Sequence, residues 1–264
     1  MRIALCQLKT PNFEFKEELD KTTSFYEIEG RRIDALDYVV GRLEESKFPK
    51  ETLVVLPECV PGISGMDNIG KLKQFAKSRG LYVQAGIYQK IPGKAKAYNS
   101  SVLIDPKGNI SGIYHKMYLQ KEEWQSHIEP GDKPELFEVE QDGEKYTIGP
   151  FICQDLGSNM PGDETPIRKR DENGIPILES VYNEADVFVV QSASLVGLSD
   201  KGKPFHEHWA ELLERMVEKY EKPIVYVNCA DRGGRSKVLI PENGKAKIVR
   251  ELSADIEEIS LFEI

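Results

Sequence analysis

The chain has 264 residues, 40% of them hydrophobic and 30% charged, with a formal net charge of -9 at pH 7. That length suits one layered α/β domain with a large core. The acidic balance disfavours nonspecific binding to nucleic acid or to an anionic membrane, since both need a basic face. No apolar run approaches the roughly 20 residues of a membrane span, and Met1-Arg2-Ile3-Ala4-Leu5-Cys6-Gln7 reads as a strand rather than a signal peptide. Cys6, Cys59, Cys153 and Cys229 lie far apart with no Cys-x-x-Cys pair, so neither a disulfide framework nor a zinc site is expected, and the cytoplasm is the natural compartment.

In chain order, apolar β-rich runs recur at Ile3–Cys6, Leu53–Leu56, Leu81–Val83, Ser101–Ile104, Val187–Val190 and Ile224–Val227. Continuous apolar runs, without polar alternation, predict strands covered on both faces. Helical periodicity covers about 32–47, with Ile33, Leu36, Val39, Val40 and Leu43 on one face, and about 205–221, with Trp209, Leu212, Leu213, Met216 and Val217. Pro and Gly between strand-like flanks at 104–110 and 239–244 predict hairpins. The polar stretch 157–178 reads as a long loop. Strand–helix units mixed with hairpins indicate a layered α/β fold with mixed sheet, organised as a single domain over 1–264.

Three segments place a reactive residue at the end of an apolar strand: Val54-Val55-Leu56-Pro57-Glu58, Gly112-Ile113-Tyr114-His115-Lys116 and Phe151-Ile152-Cys153-Gln154-Asp155. Each has an ordinary reading by itself, as a loop acid, a solvated lysine and an inert buried thiol. In this order they resemble the Glu–Lys–Cys triad of the nitrilase superfamily of carbon–nitrogen hydrolases. The resemblance runs along nearly the whole chain. Arg2–Gln7 is similar to that family's first strand. Tyr98-Asn99-Ser100-Ser101, Asp105-Pro106-Lys107-Gly108 and Tyr114-His115-Lys116 are similar to its hairpin leading into the lysine. Ala185-Asp186-Val187, Val227-Asn228, Gly234-Arg235-Ser236 and Pro241-Glu242-Asn243-Gly244 match later landmarks.

The resemblance implies a four-layer α-β-β-α sandwich with two mixed sheets, and a homodimer or larger homo-oligomer. It also implies roles: Cys153 as nucleophile, Glu58 as its proton acceptor and donor, and Lys116 as the cation that favours the thiolate and the oxyanion. The backbone N–H of Gln154 is the implied second oxyanion donor. Lys121–Gly131 resembles the region that supplies a second, substrate-orienting glutamate, with Glu123 the first choice and Glu122 the second. Neither metal nor organic cofactor is required. Gln154-Asp155 after the nucleophile is similar to the amidase and carbamoylase branches, where true nitrilases carry Trp-Glu, so a small-molecule amide or carbamoyl substrate is expected. The chain departs from the family after Cys153, where Leu156 leads into a charged insertion.

Rival readings fare worse. His206 and His208 are spaced by two on a helix, which points them to different faces, whereas metalloprotease helices space histidines by four. Ser192 and Ser194 lack the Gly-x-Ser-x-Gly elbow, and no Gly-x-Gly-x-x-Gly follows the first strand. A silent binding or assembly protein on the same fold would have lost a triad member. An acyltransferase would keep the triad and change only the acceptor.

Overall fold

The computed structural model describes residues 1–14, 23–63, 69–91, 96–120, 123, 128–157, 183–194 and 204–264. The first half comprises β1 (Arg2–Gln7), β2 (Asn12–Glu14), β3 (Thr23–Ile28), β4 (Arg31–Asp34), α1 (Ala35–Glu44), β5 (Leu53–Val55), β6 (Pro61–Ile63), α2 (Gly70–Arg79), β7 (Tyr82–Lys90), β8 (Ala97–Ile104) and β9 (Ile110–His115). The second comprises β10 (Ile128–Glu129), β11 (Phe137–Gln141), β12 (Glu144–Ile152), α3 (Gln154–Gly157), β13 (Val187–Ser192), α4 (Phe205–Tyr220), β14 (Ile224–Asn228), β15 (Lys237–Glu242), β16 (Lys245–Glu251) and β17 (Glu258–Glu263).

Among the described residues, an eight-stranded sheet runs β10-β8-β7-β5-β1-β17, with β6 on β7 and β9 on β8, and a six-stranded sheet runs β11-β12-β13-β14-β15-β16. Both are mixed: β1, β5 and β7 are mutually parallel, as are β12, β13 and β14, while hairpins and β17 add antiparallel neighbours. Strand β1 explains the uninterrupted apolar runs. Ile3 and Leu5 enter a core shared with the six-stranded sheet, while Ala4 and Cys6 enter a second core with Val39 and Leu43 of α1 and Leu72, Phe75 and Ala76 of α2. Period-two alternation therefore sends every other side chain to a different core, and both positions must be apolar. Helix α4 covers the outer face of the six-stranded sheet with Trp209, Leu212, Leu213, Met216 and Val217. The layers are α1 and α2, the eight-stranded sheet, the six-stranded sheet and α4: the expected four-layer sandwich.

One expectation is corrected. The helix expected over about 32–47 begins only at Ala35, because Arg31–Asp34 is strand β4 of a separate β2-β3-β4 sheet. Asp34 caps α1, its carboxylate accepting from the N–H groups of Leu36 and Asp37. Glu29 and Gly30, at φ 51° and 73°, make the two-residue turn that pairs Ile33 with Tyr26. The second helix and both hairpins lie where periodicity and turn chemistry put them. Beyond Gly157, the long polar stretch is outside the described residues. Among the described residues, no helix is long and apolar enough to cross a membrane.

Candidate active site

The ends of β5, β9 and β12 converge from the two sheets. Glu58 follows β5 by way of Leu56, whose N–H is held by the Gln84 carbonyl at 2.9 Å. Lys116 follows β9; its N–H donates to the Asn99 carbonyl on β8 at 2.8 Å, and its carbonyl accepts from the Gly131 N–H at 2.8 Å. Cys153 follows β12 in the left-handed region, at φ 44°, and leads directly into α3. That conformation is costly for a residue with a Cβ and recurs where a backbone must present a side chain sharply. The Cys153 N–H is tied to the Gln191 carbonyl at 2.8 Å.

The Lys116 ammonium lies 2.8 Å from Glu58 Oε1 and 2.8 Å from Glu123 Oε2, so one buried cation bridges two carboxylates. Asn99 reinforces the bridge, its Nδ2 donating to Glu58 Oε1 at 2.7 Å and to Glu123 Oε1 at 2.8 Å. The Ala193 N–H donates to Glu58 Oε2 at 2.8 Å, and the Gln120 N–H to Glu123 Oε2 at 3.0 Å. Lys116 and Cys153 are only 2% and 3% exposed, whereas the Glu123 side chain is 12% exposed, so the cluster opens toward its second carboxylate.

Charge follows this geometry. Burial opposes the Lys116 ammonium, but Glu123 and Glu58 override it and hold the amine well above the usual lysine range. Burial likewise works against the Glu123 carboxylate, yet Lys116 and the donors from Gln120 and Asn99 keep it below the ordinary value. For Cys153, burial pushes the thiol up to about 12. The Glu58 charge adds to this, while Lys116 and the Ser192 hydroxyl draw it down. The resting sulfur therefore keeps its proton beside a carboxylate. Moving that proton to Glu58 leaves the total buried charge unchanged, and Coulomb cost is what forbids net charging in such a site.

A second buried acid holds the frame. Asp155 Oδ1 accepts from the N–H groups of Met117 and Tyr118 at 3.1 and 2.9 Å, and Oδ2 from the Tyr114 hydroxyl and the Ile152 N–H at 2.7 and 3.0 Å. It thus ties the turn after Lys116 to the strand that ends in Cys153. On the far side, Ser194 is buried, with its hydroxyl 3.3 Å from that of Tyr226 and its N–H bonded to Asn228, an arrangement unlike that of an exposed nucleophile.

The structure brings Glu58, Lys116, Glu123 and Cys153 together, and Gln154 sits directly after the sulfur as the first residue of α3. Glu122 lies outside the described residues. Asn99, Asp155, Gln191 and Ala193 were not assigned to the site from sequence, and Ser192 was weighed there only as a rival nucleophile. For Asn99, Gln191 and Ser192 the one signal is a polar residue within a buried strand, Asp155 is a buried acid in the turn after Cys153, and Ala193, which acts only through its backbone N–H, carries no such signal.

The family model described as carbon-nitrogen hydrolase matches residues 2–160, more than half of the 264-residue chain and the part that holds Glu58, Lys116, Glu123 and Cys153. The chain belongs to the carbon–nitrogen hydrolase family. No curated protein matches it in sequence. Among solved structures, this hydrolase chain is similar to Nit3 of Saccharomyces cerevisiae, a member of branch 10 of the nitrilase superfamily, at 20% identity and a TM-score of 0.67 over 99% of this chain and 89% of that one. It is similar to a mutant of the amidase from Nesterenkonia sp. AN1, at 18% identity and a TM-score of 0.67 over 100% and 90% of the two chains. That mutant amidase shows covalent addition of the acetamide moiety of fluoroacetamide at its active-site cysteine. A third, glutamine-dependent NAD+ synthetase from Acinetobacter baumannii, matches at 14% identity and a TM-score of 0.64, with 98% of this chain lying on 44% of that one. At these identities the likeness establishes the nitrilase fold and leaves the reaction to be argued from the site.

Proposed function

We propose that this protein is an amidase-type hydrolase of non-peptide carbon–nitrogen bonds, acting through Glu58, Lys116 and Cys153. The observation that carries the reading is the buried Glu58–Lys116–Glu123 bridge, with both contacts at 2.8 Å, beside a cysteine in the left-handed conformation. As the thiol attacks the substrate carbonyl carbon, Glu58 takes its proton and a C–S bond forms. The carbonyl electrons move to an oxyanion held by the Lys116 ammonium and the Gln154 N–H. Protonated Glu58 then delivers its proton to the nitrogen, the C–N bond breaks, and ammonia or an amine leaves a thioester. Water, deprotonated by Glu58, attacks that thioester; the C–S bond breaks and the sulfur regains a proton. Glu123 Oε1 accepts only from Asn99 among the described residues, which leaves a lone pair for a substrate N–H.

Gln154-Asp155 after the nucleophile, and the amidase among the structural neighbours, favour a small amide or carbamoyl substrate over a nitrile. Four free, buried cysteines suit a reducing compartment, so the reading includes a cytoplasmic home; assembly as a homodimer or larger homo-oligomer completes it. The test is ammonia release from simple amides, carbamoyl amino acids and nitriles, with wild type beside Cys153→Ala. Release from amides or carbamoyl compounds, abolished in a variant of unchanged circular dichroism, supports the reading. Release only from nitriles, none from any class, or turnover that survives Cys153→Ala overturns it.

A further inference from the structure

We infer that Gln191 is the positioning residue that sets the spacing between Cys153 and Glu58, by holding both halves of the site on one segment of chain. The inference rests on the reading of Cys153 as nucleophile and Glu58 as its base.

The two residues come from different sheets. Sheets in a sandwich are held face to face by apolar packing, which is non-directional and tolerates small sliding. Proton transfer does not tolerate it, since a misplacement near 1 Å costs on the order of a hundredfold in rate. At Gln191 the contact between sheets becomes directional. Its carbonyl accepts the Cys153 N–H at 2.8 Å, and its side-chain Nε2 donates across the gap to the Leu56 carbonyl at 2.6 Å, two residues before Glu58. Two residues after Gln191, the Ala193 N–H donates to Glu58 Oε2 at 2.8 Å. The end of β13 therefore touches the nucleophile's backbone, the strand that carries the base, and the base itself.

Packing does not call for glutamine here. Val187 and Val189 share its face of β13 by strand alternation and are fully apolar. Gln191 is completely buried, and a buried amide is costly unless its polar atoms are bonded. Its Oε1 accepts from Gln84 Nε2 at 3.4 Å, and the same Gln84 nitrogen donates to Ser101 at 3.0 Å. This small polar network sits between the sheets, directly under the site, where an aliphatic residue would fill the same space without direction.

The test reads Cys153 directly, by iodoacetamide modification and peptide mass spectrometry over a range of pH, and needs no substrate. In wild type, Glu58 removes the thiol proton during attack, so the rate is nearly flat across neutral pH. In Gln191→Met, which keeps the volume and removes the bond to Leu56, the neutral rate is expected to fall about tenfold or more. The remaining reaction should then follow the free thiolate, rising about tenfold per pH unit. Gln84→Met breaks the neighbouring bond between sheets while sparing Gln191 to Leu56, and is expected to lose stability yet keep the flat profile. Should Gln191→Met fail to fold, Gln191→Asn retains an amide one methylene too short and carries the same expectation. A flat wild-type-like profile in the Gln191 variant overturns the inference. A wild-type Cys153 that reacts no faster than Cys59 and Cys229 overturns instead the nucleophile reading beneath it.

Discussion

Replacing Lys116 with methionine isolates what the buried cation does. The substitution keeps most of the side-chain volume and removes the charge that sits 2.8 Å from both Glu58 and Glu123. Two carboxylates then share a buried site with Asn99 as their common neutral donor. Removing one partner from a buried ion pair costs about 3–5 kcal/mol, because the charge left behind is uncompensated. For a chain of this size that is a fall in Tm of roughly 6–20 °C. The cost should depend on pH. Without Lys116, burial and the neighbouring Glu58 raise the Glu123 carboxylate above its unfolded value, so its contribution is most favourable in acid and is lost as pH rises through the raised value. In wild type Glu123 is instead held low, so its contribution is present above its ordinary value of 4.5 and is lost as pH falls below it. Both effects narrow the gap between the two proteins in acid. Thermal melts of wild type, Lys116→Met, Glu123→Gln and the double variant, at acid and mildly alkaline pH, complete the cycle. The double variant should be more stable than Lys116→Met at alkaline pH, since it carries one buried charge fewer. A Lys116→Met deficit that is absent, or equal at both pH values, would refute this account of the bridge.

Two further expectations follow from close contacts around the same cluster. A Cβ on Gly86 would stand 2.5 Å from the Pro57 carbonyl oxygen and 2.8 Å from Glu58 Cα, so Gly86→Ala should cost about 1–3 kcal/mol and, on the proposed role of Glu58, lower kcat by displacing it. Gly41→Ala, in α1 with open space around it, should leave kcat unchanged and serves as the control; equal effects from the two would refute the contact argument. Asp155→Asn should destabilise by about 3 kcal/mol or more, because the new amide N–H group faces two of the four donors that the carboxylate accepts. Burial raises Asp155 from 3.8 to about 7, so its contribution is full below its ordinary value and declines as pH rises through about 7. Denaturant unfolding across that window should show this slope in wild type and lose it in Asp155→Asn.

Much of the site was legible because its chemistry sits at strand ends. Glu58, Lys116 and Cys153 each close an apolar run, and the order of three modest motifs carried more than any one of them. Asn99, Asp155 and Gln191 were not legible as site residues. A single polar letter inside a buried run shows that a partner must exist, but not which residue it is: Asn99 finds Glu58 and Glu123, and Gln191 finds Leu56 across the sandwich. The β2-β3-β4 sheet was missed for a related reason. The apolar spacing from Ile33 onward fits a helix as well as a strand leading into one, and only the Glu29-Gly30 turn and its pairing decide where the helix begins.

By itself, then, the sequence determined the period of each element, the residues with the reactive groups, and the family. Those follow from short-range rules: alternation, capping, turn chemistry and the order of motifs along the chain. Tertiary structure alone decided that one ammonium bridges two carboxylates, that burial raises the Cys153 thiol beside the Glu58 carboxylate, and that β13 joins the two halves. These depend on distances between residues far apart in the chain, and on the loss of water around them. Neither quantity is written in local spacing, because both are set by how two sheets close on each other.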